Sequence, residues 1–318
     1  MWLYLTTFLL ALFLTIIFTP MVRRAASRLG ALDKPNQRKV HTQAVPRLGG
    51  IAIFFGLFLA LYIGLGIATL LGRKIDWLSM LGIFLGSLVI LLVGIIDDKN
   101  GLRPGIKFFW QSVAAVIAML LGVGITFASN PFNGLFVVPL FLSLPLTFLW
   151  IVGITNALNL IDGLDGLASG VTAISAGTLF FVALKTHQIG PAFLMLALAG
   201  AALGFLRYNF FPASIFLGDS GSYLLGFILA TASITGVFKT TLVVALIVPI
   251  LILGVPIFDT LFAIGRRLKD KKNLFEADNK HIHHMLLRAG FNKREAVLSI
   301  YIACFLLSFI AMIMALQR

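Results

Sequence analysis

Trp77-Leu-Ser-Met-Leu-Gly-Ile-Phe-Leu-Gly-Ser-Leu-Val-Ile-Leu-Leu-Val-Gly-Ile-Ile96-Asp97-Asp98 sets twenty uncharged residues directly before two adjacent carboxylates. A run of about 20 apolar residues is the length at which a helix crosses a hydrocarbon core, where the backbone must satisfy its own hydrogen bonds. Outward from this stretch the pattern recurs, and ten runs read as spans: 2–22, 48–71, 77–96, 106–128, 135–155, 167–184, 191–208, 222–237, 240–264 and 296–316. The eighth is short and needs tilt or extension by its flanks. Composition agrees, since the 318 residues are 59% hydrophobic and 12% charged, against about 45–50% and ~25% in soluble chains. The expected fold class is all-α, a polytopic integral membrane protein of about ten transmembrane helices. No repeat, low-complexity segment or long linker divides it, so residues 1–318 read as a single domain.

The connections between runs divide by charge. The odd-numbered ones, counted with Lys107 and Arg207 at the adjoining run ends, hold twenty of the 25 Lys and Arg residues, and the even ones with the C-terminus hold five: Arg73, Lys74, Lys185, Lys239 and Arg318. Basic loops stay on the cytoplasmic side, so the odd connections are expected to face the cytoplasm and both termini to lie outside. Arg23-Arg24 follow the first run at once and no basic side chain precedes it, so it reads as a retained helix rather than a cleaved signal. The net charge of +13 is spread over membrane-edge loops. There it holds the loops at an anionic leaflet and attracts phosphate-bearing substrates rather than nucleic acid. The single cysteine, Cys304, excludes a disulfide framework and a Cys-rich metal centre.

Five of the twelve acidic residues, Asp97, Asp98, Asp162, Asp165 and Asp219, fall at the inner ends of three runs, where a buried charge is costly. Each alone reads more readily as a cap or a local ion pair than as a ligand. Five on one membrane face call for a cation among them, and oxygen-only ligands suit magnesium or manganese. At a helix end, one of Asp97 and Asp98 can meet a metal while the other meets a substrate. Lys107 either holds a phosphate as a point charge or snorkels to the interface.

In Asn156-Ala-Leu-Asn159-Leu-Ile-Asp162-Gly-Leu-Asp165-Gly-Leu-Ala-Ser-Gly170, the residues Asn159, Asp162 and Asp165 recur every third position and would share one helical face. Gly163 and Gly166 would let a ligand reach the backbone. In Asn209-Phe-Phe-Pro-Ala-Ser-Ile-Phe216-Leu-Gly218-Asp219-Ser-Gly221-Ser222, Asp219 is either the N-cap of a new helix or a metal ligand. Open N–H groups there favour phosphate, and Phe216 either stacks on a base or anchors the loop. His281, His283 and His284 lie together in the basic loop 265–295. Their spacing suits zinc poorly. With Asp278-Asn279 as a helix start they would occupy a first turn that favours anions, or simply a solvated basic helix. Asp259, the strong acidic candidate inside a span, is expected to pair locally with Arg266.

Together, Asp97-Asp98 after an apolar run, Asn156-Ala-Leu-Asn159-Leu-Ile-Asp162-Gly-Leu-Asp165-Gly-Leu-Ala168, Phe216-Leu-Gly-Asp219-Ser-Gly-Ser222 and His281-Ile-His283-His284 resemble the polyprenyl-phosphate N-acetylhexosamine-1-phosphate transferases. Matches run in order from Pro46-Arg47-Leu48-Gly49-Gly50 to the histidine loop. Val45-Pro46-Arg47-Leu-Gly-Gly and His-Ile-His-His look more like the GlcNAc-1-phosphate transferases of teichoic-acid, O-antigen, lipopolysaccharide and related glycan pathways. The phospho-N-acetylmuramoyl-pentapeptide branch typically has Pro-Thr-Met-Gly-Gly and three consecutive histidines.

The resemblance implies transfer of GlcNAc 1-phosphate from a UDP-sugar to undecaprenyl phosphate, with release of UMP. The active site would lie at the cytoplasmic face of the bacterial cytoplasmic (inner) membrane. The resemblance implies Mg2+, for which Mn2+ can substitute, with Asp219 as principal ligand and Asn159 lending a carbonyl oxygen. Asp97, Asp98 and Lys107 would be the catalytic residues that orient the lipid phosphate. Asp162, Asp165, Asn209 and Phe216 would contact the nucleotide side, and Arg47, His281, His283 and His284 the diphosphate or sugar. The expected partners are a UDP-N-acetylhexosamine, undecaprenyl phosphate and the bilayer; a homodimer stays open. Two other classes compete. A membrane prenyltransferase also uses aspartates and magnesium, but its usual Asp-x-x-x-Asp spacing is absent here. A secondary transporter would account for Pro249 and Pro256, but places its ionisable groups near the midplane.

Overall fold

The computed structural model describes residues 1–33, 44–125, 127–130, 134–237, 242–270 and 281–316. In chain order these form α1 Trp2–Arg28, β1 Leu32–Asp33, β2 Val45–Pro46, α2 Gly49–Leu70, α3 Trp77–Asn100, α4 Pro104–Leu120, β3 Phe127–Asn130, β4 Gly134–Val137 and α5 Leu140–Ile161. There follow α6 Leu167–Lys185, α7 Ile189–Asn209, α8 Gly218–Val237, α9 Leu242–Ile252, α10 Gly254–Lys269, α11 Ile282–Arg288 and α12 Lys293–Leu316. Seven of them, α1, α2, α3, α5, α6, α7 and α12, are long and apolar enough to cross a membrane.

The distribution of side chains identifies the solvent the fold is built for. Along α1, Thr7, Ala11, Thr15 and Thr19 are buried while Leu5, Leu9, Phe13, Ile17 and Met21 are exposed. Spacing of four puts each set on its own face, with the small and weakly polar side chains inward and the large apolar ones outward. Water would reverse this order. Between lipid tails, helices associate by close packing through small residues, and Thr15 and Thr7 sit where a Cβ on Gly56 and Gly64 of α2 would fall. The hydroxyls of Thr7 and Thr19 donate to carbonyls one turn back, at 2.9 and 2.6 Å, so neither is left unpaired in lipid.

At the centre runs α8, packed on α2, α3, α5, α6 and α7. Leu224, Leu225, Phe227, Ile228 and Leu229 are fully buried. It begins four residues ahead of the predicted eighth run, so its flank supplies the missing length.

The described residues do not form ten full spans. α4 stops at Leu120 rather than 128, because Gly122 adopts φ 96° and the N–H groups of Gly122 and Val123 turn back to the carbonyls of Met119 and Ala118. The chain then pairs β3 with β4, antiparallel, with Phe127 opposite Val137, and α5 starts at Leu140 rather than 135. The ninth run divides at Leu253 into α9 and α10. Pro256 has no N–H to offer the Ile252 carbonyl, which instead accepts the Ser175 hydroxyl at 3.2 Å. At 11, 16 and 17 residues, α9, α10 and α4 each fall short of a straight crossing.

Candidate active site

The end of α3 is built into the start of α8. Asp98 accepts the N–H groups of Asp219 and Ser220 at 2.8 and 3.1 Å, satisfying donors that every helix start leaves open. Backbones approach closely enough that a Cβ on Gly94 or on Gly50 would overlap the Ser220 main chain. This corrects two expectations. Asp219 is not the cap of α8, since a carboxylate 121 residues away performs that role, and the Asp219 and Ser220 N–H groups are taken by Asp98 rather than open to phosphate.

Freed from capping, the Asp219 side chain meets Lys107 and Asn159 and lies beside the Asp97 carboxylate. Its Oδ2 is 2.9 Å from Lys107 Nζ, whose other carboxylate partner is Asp97 Oδ2 at 2.5 Å. Its Oδ1 accepts from Asn159 Nδ2 at 2.8 Å, and the same amide nitrogen donates to Ser222 Oγ at 2.8 Å. Asn159 thus turns its amide nitrogen to Asp219 and Ser222, rather than the carbonyl oxygen anticipated for a metal. Asp97 Oδ1 accepts the Leu102 N–H at 2.6 Å, which turns the chain from α3 towards α4 and Lys107. Beneath, Asn156 donates to the Gln111 side-chain oxygen at 2.7 Å and ties α5 to α4.

On the other side of Asp219 opens a cavity of about 380 Å³. Asn159, Asp162, Asp165, Arg47, Asn209, Phe216 and His284 line it, together with Asp33 and Lys293; Asp97, Asp98 and Lys107 do not. Asn159, Asp162 and Asp165 meet here without sharing a helical face, because α5 ends at Ile161 and Asp162 already has ψ 52°. Asp165 accepts the Ala213 N–H at 3.0 Å. Asn209, 3% exposed, accepts from Gly166 N–H and Ser169 Oγ and donates to the Ile215 carbonyl, so it braces the cavity wall. Gly166 adopts φ 82° and is needed for its backbone. Gly163 makes room for protein rather than ligand, because a Cβ there would fall on the His283 ring.

The histidines arrive on α11. Its start is His281, and the helix start proposed at Asp278-Asn279 lies outside the described residues. Asp259 pairs with His281 Nδ1, at 2.7 Å, where Arg266 was expected. The rings of His281 and His283 stack nearly parallel with centroids 5.9 Å apart, and His284 reaches the cavity. Burial first, then the neighbouring His284 and His281 rings, lower the His283 pKa to about 4, so it is neutral at pH 7. Asp162 moves the other way, up to about 8, through burial and then the carboxylates of Asp219, Asp98 and Asp165.

Three participants escaped the sequence reading. Asp33 pairs with Arg47 at 2.5 Å across the β1–β2 ladder. Lys293 lines the cavity with its ammonium 5.0 Å from the centre of the Phe211 ring. The Tyr301 hydroxyl donates to the Gly166 carbonyl at 2.6 Å. None lies in a motif; only the basic character of the 265–295 loop pointed near Lys293.

The residues suit a hard divalent cation in one respect. Asp97 and Asp219 direct oxygens at a single cationic nitrogen, an all-oxygen pair of the kind that holds magnesium together with substrate phosphate. Among the described residues, no three His, Cys, Asp or Glu side chains form a ready-made ligand set, so further ligands would come from substrate.

A helical membrane protein with a carboxylate-lined, cation-rimmed pocket at one end of its bundle is the class that fold and geometry define. The chain belongs to glycosyl transferase family 4, which it matches over residues 80–237, and to the polyprenyl-phosphate N-acetylhexosamine-1-phosphate transferases that its motifs resemble. It is 42% identical to a probable undecaprenyl-phosphate N-acetylglucosaminyl 1-phosphate transferase of Bacillus subtilis, covering 96% of this chain and 84% of that one. A decaprenyl-phosphate N-acetylglucosaminephosphotransferase of Mycobacterium tuberculosis is 38% identical over 92% and 78%. An undecaprenyl-phosphate alpha-N-acetylglucosaminyl 1-phosphate transferase of Thermotoga maritima is 34% identical over 86% and 79%.

Proposed function

We propose that the protein transfers GlcNAc 1-phosphate from UDP-GlcNAc to undecaprenyl phosphate, giving undecaprenyl-diphospho-GlcNAc and UMP, at the cytoplasmic face of a bacterial inner membrane. The names of the relatives support the sugar and the polyprenyl acceptor. The observation that carries the mechanism is the position of Asp219, between Lys107 on one side and the cavity on the other.

In this reading the lipid phosphate approaches from the α4 side, where Ile106, Phe108, Phe109 and Trp110 are exposed beside Lys107, and its oxygens exchange places with a carboxylate on the ammonium. The UDP-sugar occupies the cavity, with Arg47 and His284 towards the diphosphate and Phe216 and Asp165 towards the nucleoside. A lipid-phosphate oxygen bonds to the phosphorus that bears the sugar, and the bond from that phosphorus to the bridging oxygen of UMP breaks. A phosphate monoester with a second ionisation near pH ~6 is largely a dianion at neutral pH, so it needs no strong base. Asp97 and Asp98 then position, Asp97 by holding Lys107 and Asp98 by seating α8. Mg2+, held by Asp219 and Asp97 with substrate oxygens, would supply charge neutralisation at the transferring phosphate.

The test is purified protein with undecaprenyl phosphate and a panel of UDP-sugars, followed by UMP release and lipid-linked product. Release restricted to UDP-GlcNAc is expected. Sugar uptake into vesicles without UMP release would replace this reading with transport.

A further inference from the structure

Asp259 of α10 has both carboxylate oxygens engaged by one short stretch of chain. Oδ2 lies 2.7 Å from His281 Nδ1, and Oδ1 accepts the Ile282 N–H at 2.8 Å. The Asp259 and His281 side chains are 3% and 6% exposed. A buried carboxylate is costly unless it is paired, and here both oxygens are engaged by residues 22 and 23 positions away. A proton on His281 Nδ1 fixes the ring's orientation and leaves Nε2 as its other hydrogen-bonding nitrogen. The same carboxylate ties α11 to α10, which packs on α5, the helix that delivers Asn159 and Asp162. The next residues of α11 are His283, set over Gly163, and His284, in the cavity wall.

We propose that Asp259 is a positioning residue: it orients His281 and pins the first turn of α11, so that His283 and His284 are held against the turn at residues 162–166. The inference rests on the reading that these histidines serve the UDP-sugar side, and extends it to a buried carboxylate that touches no substrate. Two donors need two acceptors. Asn at this position offers one acceptor, so either the Ile282 N–H loses its partner or His281 shifts its proton to Nε2. Glu keeps two acceptors on a longer arm.

The experiment compares wild type, Asp259→Asn, Asp259→Glu, His281→Ala and the Asp259→Asn/His281→Ala double variant, by UMP release and by amide hydrogen exchange of residues 281–288. A lost hydrogen bond that misplaces the arm is expected to lower kcat/KM about 10- to 100-fold in Asp259→Asn, with part of the loss recovered in Asp259→Glu. The double variant should match the worse single, and exchange of 281–288 should quicken in Asp259→Asn while the 218–230 amides stay unchanged. Losses that multiply in the double variant, or unaltered exchange at 281–288, would overturn the proposal. If the wild type releases no UMP, the functional reading fails by itself, and hydrogen exchange in Asp259→Asn and Asp259→Glu still decides the positioning role.

Discussion

Asp219 and Asp162 stand a few side chains apart and respond to that crowding differently. Asp219 is compensated by Lys107 and Asn159, and Asp219→Asn removes a charge that both the ammonium and any divalent cation would use. Transfer should fall at least about 10²- to 10³-fold, as when an electrostatic contact at the transferring group is lost. Wild-type transfer should stop in EDTA and return with Mg2+ or Mn2+. Full activity of Asp219→Asn at low magnesium would exclude it from the site. Asp162 is buried among the carboxylates of Asp219, Asp98 and Asp165, which outweigh the pull of Arg47, and holds its proton up to about 8. Between its ordinary value, 3.8, and about 8, the folded protein therefore binds a proton that the unfolded chain has released. The sign is negative: stability declines as pH rises through that window and levels off above it. In metal-free detergent, the Tm of the wild type should fall from pH 5 to 9 more steeply than that of Asp162→Asn, which cannot ionise there. Equal slopes would remove Asp162 as the cause. At this scale the motifs pointed to side chains that the fold brings near one another but not to their partners, since Asp97 and Asp98 are adjacent in sequence yet meet Lys107 and α8 separately.

Helices meet through glycine wherever the site requires close approach. Gly94 of α3 and Gly66 of α2 are both helical, but a Cβ on Gly94 overlaps the Ser220 backbone whereas one on Gly66 meets nothing within 4 Å. Gly94→Ala should cost about 1–3 kcal/mol through overpacking against main chain that cannot rotate away, and should slow transfer by parting Asp98 from α8. Gly66→Ala should be neutral or gain up to ~1 kcal/mol of helix propensity. Thermal unfolding of the two in detergent distinguishes them, and equal effects would mean that α3 and α8 are not in backbone contact. The apolar runs were legible as helices because lipid admits little else. The β3–β4 ladder and the break at Leu253 were not, because apolar strands and a proline-broken helix satisfy the same hydropathy as a continuous span.

For the whole molecule, the twenty-to-five division of basic residues makes a prediction about sidedness. In a Cys304→Ala background, a cysteine at exposed Lys74 should react with an impermeant thiol reagent added outside, and one at exposed Arg103 should not. Labelling of position 103 from outside would invert the arrangement and move the active site to the other face.

The sequence by itself determined that the chain is a helical membrane protein and which family its motifs match. These follow from the transfer energy of each residue and from short spacings, quantities that add locally along the chain. Only the tertiary structure decided that Asp98 caps α8, that Lys107 joins Asp97 to Asp219, that Gly163 houses His283 and that Asp259 holds His281. Asp98–Asp219 and Lys107–Asp219 span 121 and 112 residues. Burial drives carboxylates such as Asp98 and Asp219 to a donor, and which donor is within reach is set by how α3, α4, α5 and α8 pack, a property of no single segment.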